Sequence, residues 1–171
     1  ALGILAASKR PLAIAGVDAV LEDAGNDIAA YCRHHGIPLL TTYKGKGMMP
    51  EGDHLCLGAA GLSPLADKTL MPLIAQADCL LLLGYDPIEM RVGWRNLWSE
   101  EKAVVEISPV ERGHGMHSVS VSLIGDIAST LEALKHDGLD RWVANEPEIA
   151  RATLKNDFAG PETWGPHAAF R

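Results

Sequence analysis

Aromatic side chains are scarce, 5% of 171 residues, which argues against a stacking surface for single-stranded nucleic acid. Positive charge is short as well. Fifteen Lys and Arg face 22 Asp and Glu, for a formal charge of −7, the wrong sign for affinity built on neutralising many backbone phosphates. Nucleic acid is thereby excluded as the main partner, while a single nucleotide cofactor would need only a few local donors. The three cysteines, Cys32, Cys56 and Cys79, are odd in number and form no CxxC, so a disulfide framework or zinc finger is excluded. They read as reduced core thiols of a cytosolic protein, and the expected localisation is cytoplasmic. No stretch approaches 18 continuous apolar residues. The opening "ALGILAASKRP" is charged too soon to span a bilayer and lacks the charged leader of a secretion signal. No membrane partner is expected.

Several catalytic signatures are missing too. "AGVDAVLEDAG" at 15–25 is not GxGxxG, and in "TTYKGKG" at 41–47 no Ser or Thr follows Lys46, so there is no P-loop. "GLSPL" at 61–65 is not GxSxG. His114 and His117 lack a convincing third ligand nearby, and His54 and Cys56 would share a side only on a strand, so no metal site is expected. Glu100, Glu101, Glu146 and Glu148 lie in polar surroundings and read as solvated faces. No general acid and base pair emerges.

What is present is the patterning of one α/β domain. The chain is long enough for one sizeable core, and 17 Gly and 10 Pro supply tight turns. Short apolar runs at 12–16, 37–40, 79–84 and 102–108 read as strands, with "CLLLLG" at 79–84 apolar throughout and therefore covered on both faces. Val/Ser alternation over 118–122 reads as an edge strand. Helices are expected over 21–36, ending at His34, His35 and Gly36; over 63–76, with Ser63 as N-cap and an interruption at Pro72; after Asp126; and roughly over 139–155. The segment 45–61 reads as a glycine-rich connection. Trp94 and Trp98 share one helical face, read as a contact with another chain or domain over the alternative of core. The expected fold is an open doubly wound parallel sheet of five or six strands with helices on both faces. It forms a single domain over 1–157, followed by a linker or arm at 158–171 that holds Trp164.

In such a sheet ligands sit beyond the carboxyl ends of the strands, so four turns carry the candidate cofactor-binding residues. Gly16 lets a helix N-terminus approach a diphosphate or is a bare turn, and Asp18 would repel phosphate unless it faced ribose. Thr41, Thr42, Lys44, Gly45 and Lys46 offer hydroxyls, amides and cations to a phosphate, or form a solvated basic turn. Gly84 and Asp86 lie near the middle of the binding edge, where Asp86 accepts ribose hydroxyls or caps the turn before Pro87. Ser108 ends the next strand.

Four phrases, "RPLAIAG" at 10–16, "HGIPLLTTYKGKGMMPEGDHLCLGAAG" at 35–61, "ADCLLLLGYDPIEM" at 77–90 followed by Trp94, and "SLIGDIASTLEAL" at 122–134, occur in an order that covers most of residues 8–135. On them the chain resembles the Rossmann-like middle domain, of the NAD/FAD-binding type, of thiamine-diphosphate-dependent enzymes such as acetolactate synthase and pyruvate oxidase. "LGYDPIE" followed by "LIGDI" resembles the catabolic acetolactate synthase branch most closely. The resemblance implies a three-domain parent that decarboxylates a small 2-keto acid and passes the product to an acceptor, with thiamine diphosphate and magnesium held elsewhere. It further implies a fragment inactive alone, with the other domains of the same polypeptide as partners and a homo-oligomeric parent, dimer or tetramer. The metal-binding GDG is absent, since "GDI" at 125–127 has isoleucine instead. Relatives use the middle domain for FAD, an adenine nucleotide such as ADP, or coenzyme A, whereas catabolic members carry no FAD. Flavin-dependent members have Arg-Phe-Asp-Asp after the equivalent of Gly84; here Tyr85, Asp86, Pro87 and Ile88 follow. The alternative function is a stand-alone adenine-nucleotide (FAD, ADP or CoA) binding module.

Overall fold

Segments that are apolar at every position need cover on both sides, and two of them form the centre of the sheet. In the computed structural model, which describes residues 1–113, 115–137 and 141–160, β1 (Pro11–Ala15) and β4 (Cys79–Leu83) are buried throughout. They pair in parallel in the register Ala13 to Leu81. β2 (Leu39–Thr42) and β3 (Cys56–Ala60) extend the sheet on one side, β5 (Ala103–Ser108) and β6 (Val121–Ile124) on the other, in the order β3-β2-β1-β4-β5-β6, all parallel.

Alternate strand residues point to opposite faces. Ala13, Leu39, Leu81 and Val105 pack under α1 (Leu2–Ala7), α2 (Val17–Leu21), α3 (Gly25–His35) and α5 (Ile127–Ala133) through Leu5, Ala19, Ile28 and Leu131. Leu12, Leu40, Leu80 and Val104 meet α4 (Pro64–Gln76) and α6 (Glu146–Asp157) through Leu70, Ile74 and Ala150. Each fully buried leucine of this kind stabilises the fold by roughly 1.5–3 kcal/mol. No helix among the described residues is long and apolar enough to cross a membrane.

Local signals place several ends. The Ser63 hydroxyl accepts from Ala66 N–H at 3.3 Å, and Asp126 accepts from Ser129 N–H at 2.7 Å. Gly36 closes α3 at φ 61°.

Five expectations are corrected. The single helix over 21–36 is two, α2 and α3, separated where Asp23 turns left-handed at φ 55°. α4 runs through Pro72 without interruption; Pro72 is exposed, so water can take the carbonyl its missing N–H leaves unpaired. A strand, β3, lies inside the presumed connection 45–61. Trp94 and Trp98, 2% and 8% exposed, belong to the core beside Tyr85 and Leu82 and do not form an outward contact face. The alternation at 118–122 also lies ahead of its strand, since β6 begins only at Val121 and then runs along the edge of the sheet. The arm at 158–171 beyond Gly160, with Trp164, and also His114, lie outside the described residues.

His35 supplies a pH dependence. It is buried at the end of α3, stacked on His136 with ring centroids 4.1 Å apart and set against Tyr31 at 4.3 Å. Burial first, then the neighbouring His136, His34, Arg141 and Lys135, push its pKa down from 6.5 to about 4. The folded state therefore holds a neutral ring that the unfolded chain protonates once pH falls below its ordinary value. The resulting stabilisation is present above about pH 6.5 and is lost as pH falls toward 4. Urea unfolding at intervals across that window should show stability falling by up to ~3 kcal/mol, and His35→Phe should flatten the curve there.

Candidate functional site

The strand order reverses between β1 and β4, and there a doubly wound sheet opens the crevice in which ligands bind. In this chain the two loops leaving that point touch. Gly16 N–H donates to Leu83 O at 2.9 Å and Asp18 N–H to Gly84 O at 3.3 Å. A Cβ on Gly16 would lie 2.4 Å from Gly84 O and 2.7 Å from Tyr85 Cα. Gly84, at φ 56°, adopts the left-handed backbone that favours glycine, with Ala19 N 2.5 Å from where its own Cβ would be. Both glycines are required for close approach of backbone to backbone.

The loop beyond β4 then turns back over the rim. Asp86 caps a 3-10 turn over Pro87–Glu89 by accepting from Ile88 N–H at 3.0 Å. That turn buries the Glu89 carboxylate against the start of α2, where it accepts from Val17 N–H at 3.0 Å and from the Thr42 hydroxyl at 2.7 Å. Glu89 is 5% exposed and Thr42 fully buried. The Thr42 hydroxyl in turn accepts from Gly45 N–H at 3.2 Å.

Arg112, in the loop beyond β5, forms a second bridge. Its guanidinium donates to Asp18 on α2 and, at 2.5 Å, to Asp86, with all three side chains at least four-fifths buried. One cation is thus shared by two carboxylates from two different loops, a geometry suited to the fork of guanidinium donors.

The remaining candidates fall in two groups. Gly45 is buried for packing, since a Cβ there would lie 2.9 Å from Ala15 O. Thr41 is buried with its hydroxyl unpartnered, and Ser108, fully buried, accepts from Val110 N–H at 3.4 Å through its hydroxyl and from Gly125 N–H through its carbonyl. Lys44 and Lys46 point outward: Lys44 sits over the Tyr43 ring, and Lys46 pairs with exposed Glu51 at 3.1 Å. Lys46 also borders a shallow cavity of about 300 Å³ with Asp23, Asn26 and Met48, outside the rim network. Lys44→Ala and Lys46→Ala should each change unfolding free energy by no more than ~0.5 kcal/mol, since exposed ion pairs contribute little; urea titration checks this.

Glu89 and Arg112 carry no sequence signature of their own. Their place in strand-end loops marks the region alone, because nothing local says which side chain a charge will meet.

Chemically the rim pairs one cation with two of its three carboxylates, and the third, Glu89, is held by hydrogen bonds from Val17 and Thr42. Burial pushes the Cys32 and Cys79 thiols up to about 12, so neither is an available thiolate. Asp126, the aspartate of "GDI", is used as a helix cap. Among the described residues, no group of three or more His, Cys, Asp or Glu is arranged to hold a metal.

Residues 1–134 match the family model described as the central domain of thiamine pyrophosphate enzymes. A probable 2-ketoarginine decarboxylase of Pseudomonas aeruginosa is 35% identical over 132 residues, covering 76% of this chain and 22% of that protein. An acetolactate synthase of Mycobacterium avium is 26% identical over 141 residues, covering 79% and 22% respectively. Pyruvate oxidase of Lactiplantibacillus plantarum is 27% identical over 169 residues, covering 92% and 27%. The chain thus spans about a quarter of the length of these relatives. Among solved structures, a putative thiamin diphosphate-dependent enzyme from Mycobacterium smegmatis superposes with a TM-score of 0.63 at 19% identity, over 80% of this chain and 27% of that one, a likeness of fold.

Proposed function

Because the chain belongs to the central-domain family of thiamine pyrophosphate enzymes, we propose that it is the non-catalytic middle domain of a 2-keto acid decarboxylase or carboligase of the acetolactate synthase kind. The observation that carries this reading is how the charged groups of the rim are engaged. The charged strand-end groups that would meet a ligand or do chemistry fall in two bonded sets, Glu89 with Thr42 and the Val17 amide, and Arg112 with Asp18 and Asp86. The parent would use thiamine diphosphate, which supplies a carbanion that attacks the keto carbon; among the described residues no acidic cluster is arranged to hold its magnesium, and the other domains of the polypeptide would hold both. This domain would set the spacing between those domains and take part in contacts of a homo-oligomer, in the cytoplasm. A stand-alone nucleotide module is not favoured, since relatives several times longer contain this domain.

The test is CO2 release from pyruvate and other 2-keto acids in the presence of thiamine diphosphate and magnesium. The full gene product is expected to be active and residues 1–171 alone inactive. Turnover by the isolated chain, or an inactive full product that binds no thiamine diphosphate, would overturn the reading.

A further inference from the structure

We propose that Glu89 is a built-in substitute for a ligand phosphate, and that with the Arg112 bridge it makes this domain reject nucleoside diphosphates, FAD included, at the switch point. A diphosphate docking on a doubly wound sheet needs the first amides beyond the leading strand and polar groups at the end of its neighbour. Here those donors are the Val17 amide and the Thr42 hydroxyl, and both already serve the two oxygens of one buried carboxylate. A second anion would have to expel that carboxylate or lie beside it, and like charges a few ångströms apart in a poorly solvated site repel strongly. The acid available to a ribose, Asp18, is turned to Arg112. The Gly16 and Gly84 loops are also in backbone contact, so a phosphate cannot pass between them. The ADP part of FAD therefore does not fit the residues present.

This goes beyond family membership. Were it to fail, the chain would be a ligand-carrying central domain, and the catalytic assay above would be unaffected.

The experiment combines a ligand titration with anion rescue. Calorimetry and amide NMR on the wild-type chain with ADP and with FAD, up to millimolar, should show no saturable heat and no saturable movement of the Val17, Thr42 or Gly84 amides. Glu89→Ala should lower the thermal midpoint by roughly 5–10 °C, as expected for losing two hydrogen bonds to a buried charge in a chain of this size. Formate, a free carboxylate small enough for the vacated volume, should recover part of that loss relative to chloride at equal ionic strength. It should leave the wild type unmoved. Saturable ADP or FAD binding at those amides in the wild type would overturn the proposal, as would an unchanged midpoint in the variant or equal formate effects on both proteins. If Glu89→Ala does not fold, Glu89→Gln keeps the shape without the charge. Its thermal midpoint should still fall below that of the wild type, and an unchanged midpoint would also overturn the assignment.

Discussion

Gly84→Ala is expected to cost about 3–5 kcal/mol, enough to leave a domain of ordinary stability largely unfolded in mild denaturant. Two effects add. Holding a non-glycine residue at φ 56° costs about 1 kcal/mol. The larger effect is steric: the added Cβ would lie 2.5 Å from Ala19 N and 2.9 Å from Asp18 Cβ. The first contact is backbone, and α2 cannot withdraw, because Val17 N–H is held by Glu89 and Asp18 N–H by Gly84 O. Gly36→Ala is the matched control. Its φ of 61° carries the same backbone penalty, but nothing lies within 4 Å of the new Cβ, so it should lose only about 1 kcal/mol. Urea unfolding of the two variants side by side isolates the packing effect, and equal losses would mean that the two loops do not truly meet.

The second large effect belongs to Arg112. Arg112→Ala removes the cation shared by Asp18 and Asp86 and leaves two mostly buried carboxylates facing each other. Breaking a buried ion pair from one side typically costs about 3–5 kcal/mol; because Asp86 keeps some contact with water, about 2–4 kcal/mol is expected here. Arg112→Lys should recover less than half, since a single ammonium cannot reach two acceptors in the planar arrangement of a guanidinium. Adding Asp18→Asn to Arg112→Ala should give part of the loss back, with a coupling of about 1–3 kcal/mol in a double-mutant cycle from urea titrations. Strict additivity would show that the bridge is not formed in solution.

Both predictions act on the same network, and its parts differ in how visible they are in the amino-acid sequence. Gly16 and Gly84 stand out as the residues ending two apolar runs, and the need for a small residue there follows from chain geometry alone. Ser63 and Asp126 identify helix starts for an equally local reason, because a short polar side chain reaches only the amides of its own first turn. β3 leaves a weaker trace. Apart from Leu57 its residues are small, three of the five are only partly buried, Gly58 sits at φ 82°, and the pairing slips between Leu39 and Leu40. Neither apolar weight nor alternation reveals such an edge strand, and only the partner β2 makes it one. Trp94 and Trp98 mislead for a related reason. Their spacing suits a helical face, yet only Val92–Trp94 is helical, as a 3-10 turn, and the chain buries both rings against the sheet.

Apolar rhythm and turn residues, read along the chain, were by themselves enough to determine a parallel α/β sheet, the starts of α4 and α5, and which strand ends would gather at one rim. Those features depend on interactions within a few residues and on the rule that apolar segments must be covered. Only the tertiary structure decided which side chains meet at that rim. Glu89 meets Val17 and Thr42 across 72 and 47 positions, and Arg112 meets Asp18 across 94. Pairings over such distances are set by how the strands are ordered in the sheet, and charge attracts equally along many alternative routes until the fold removes all but one.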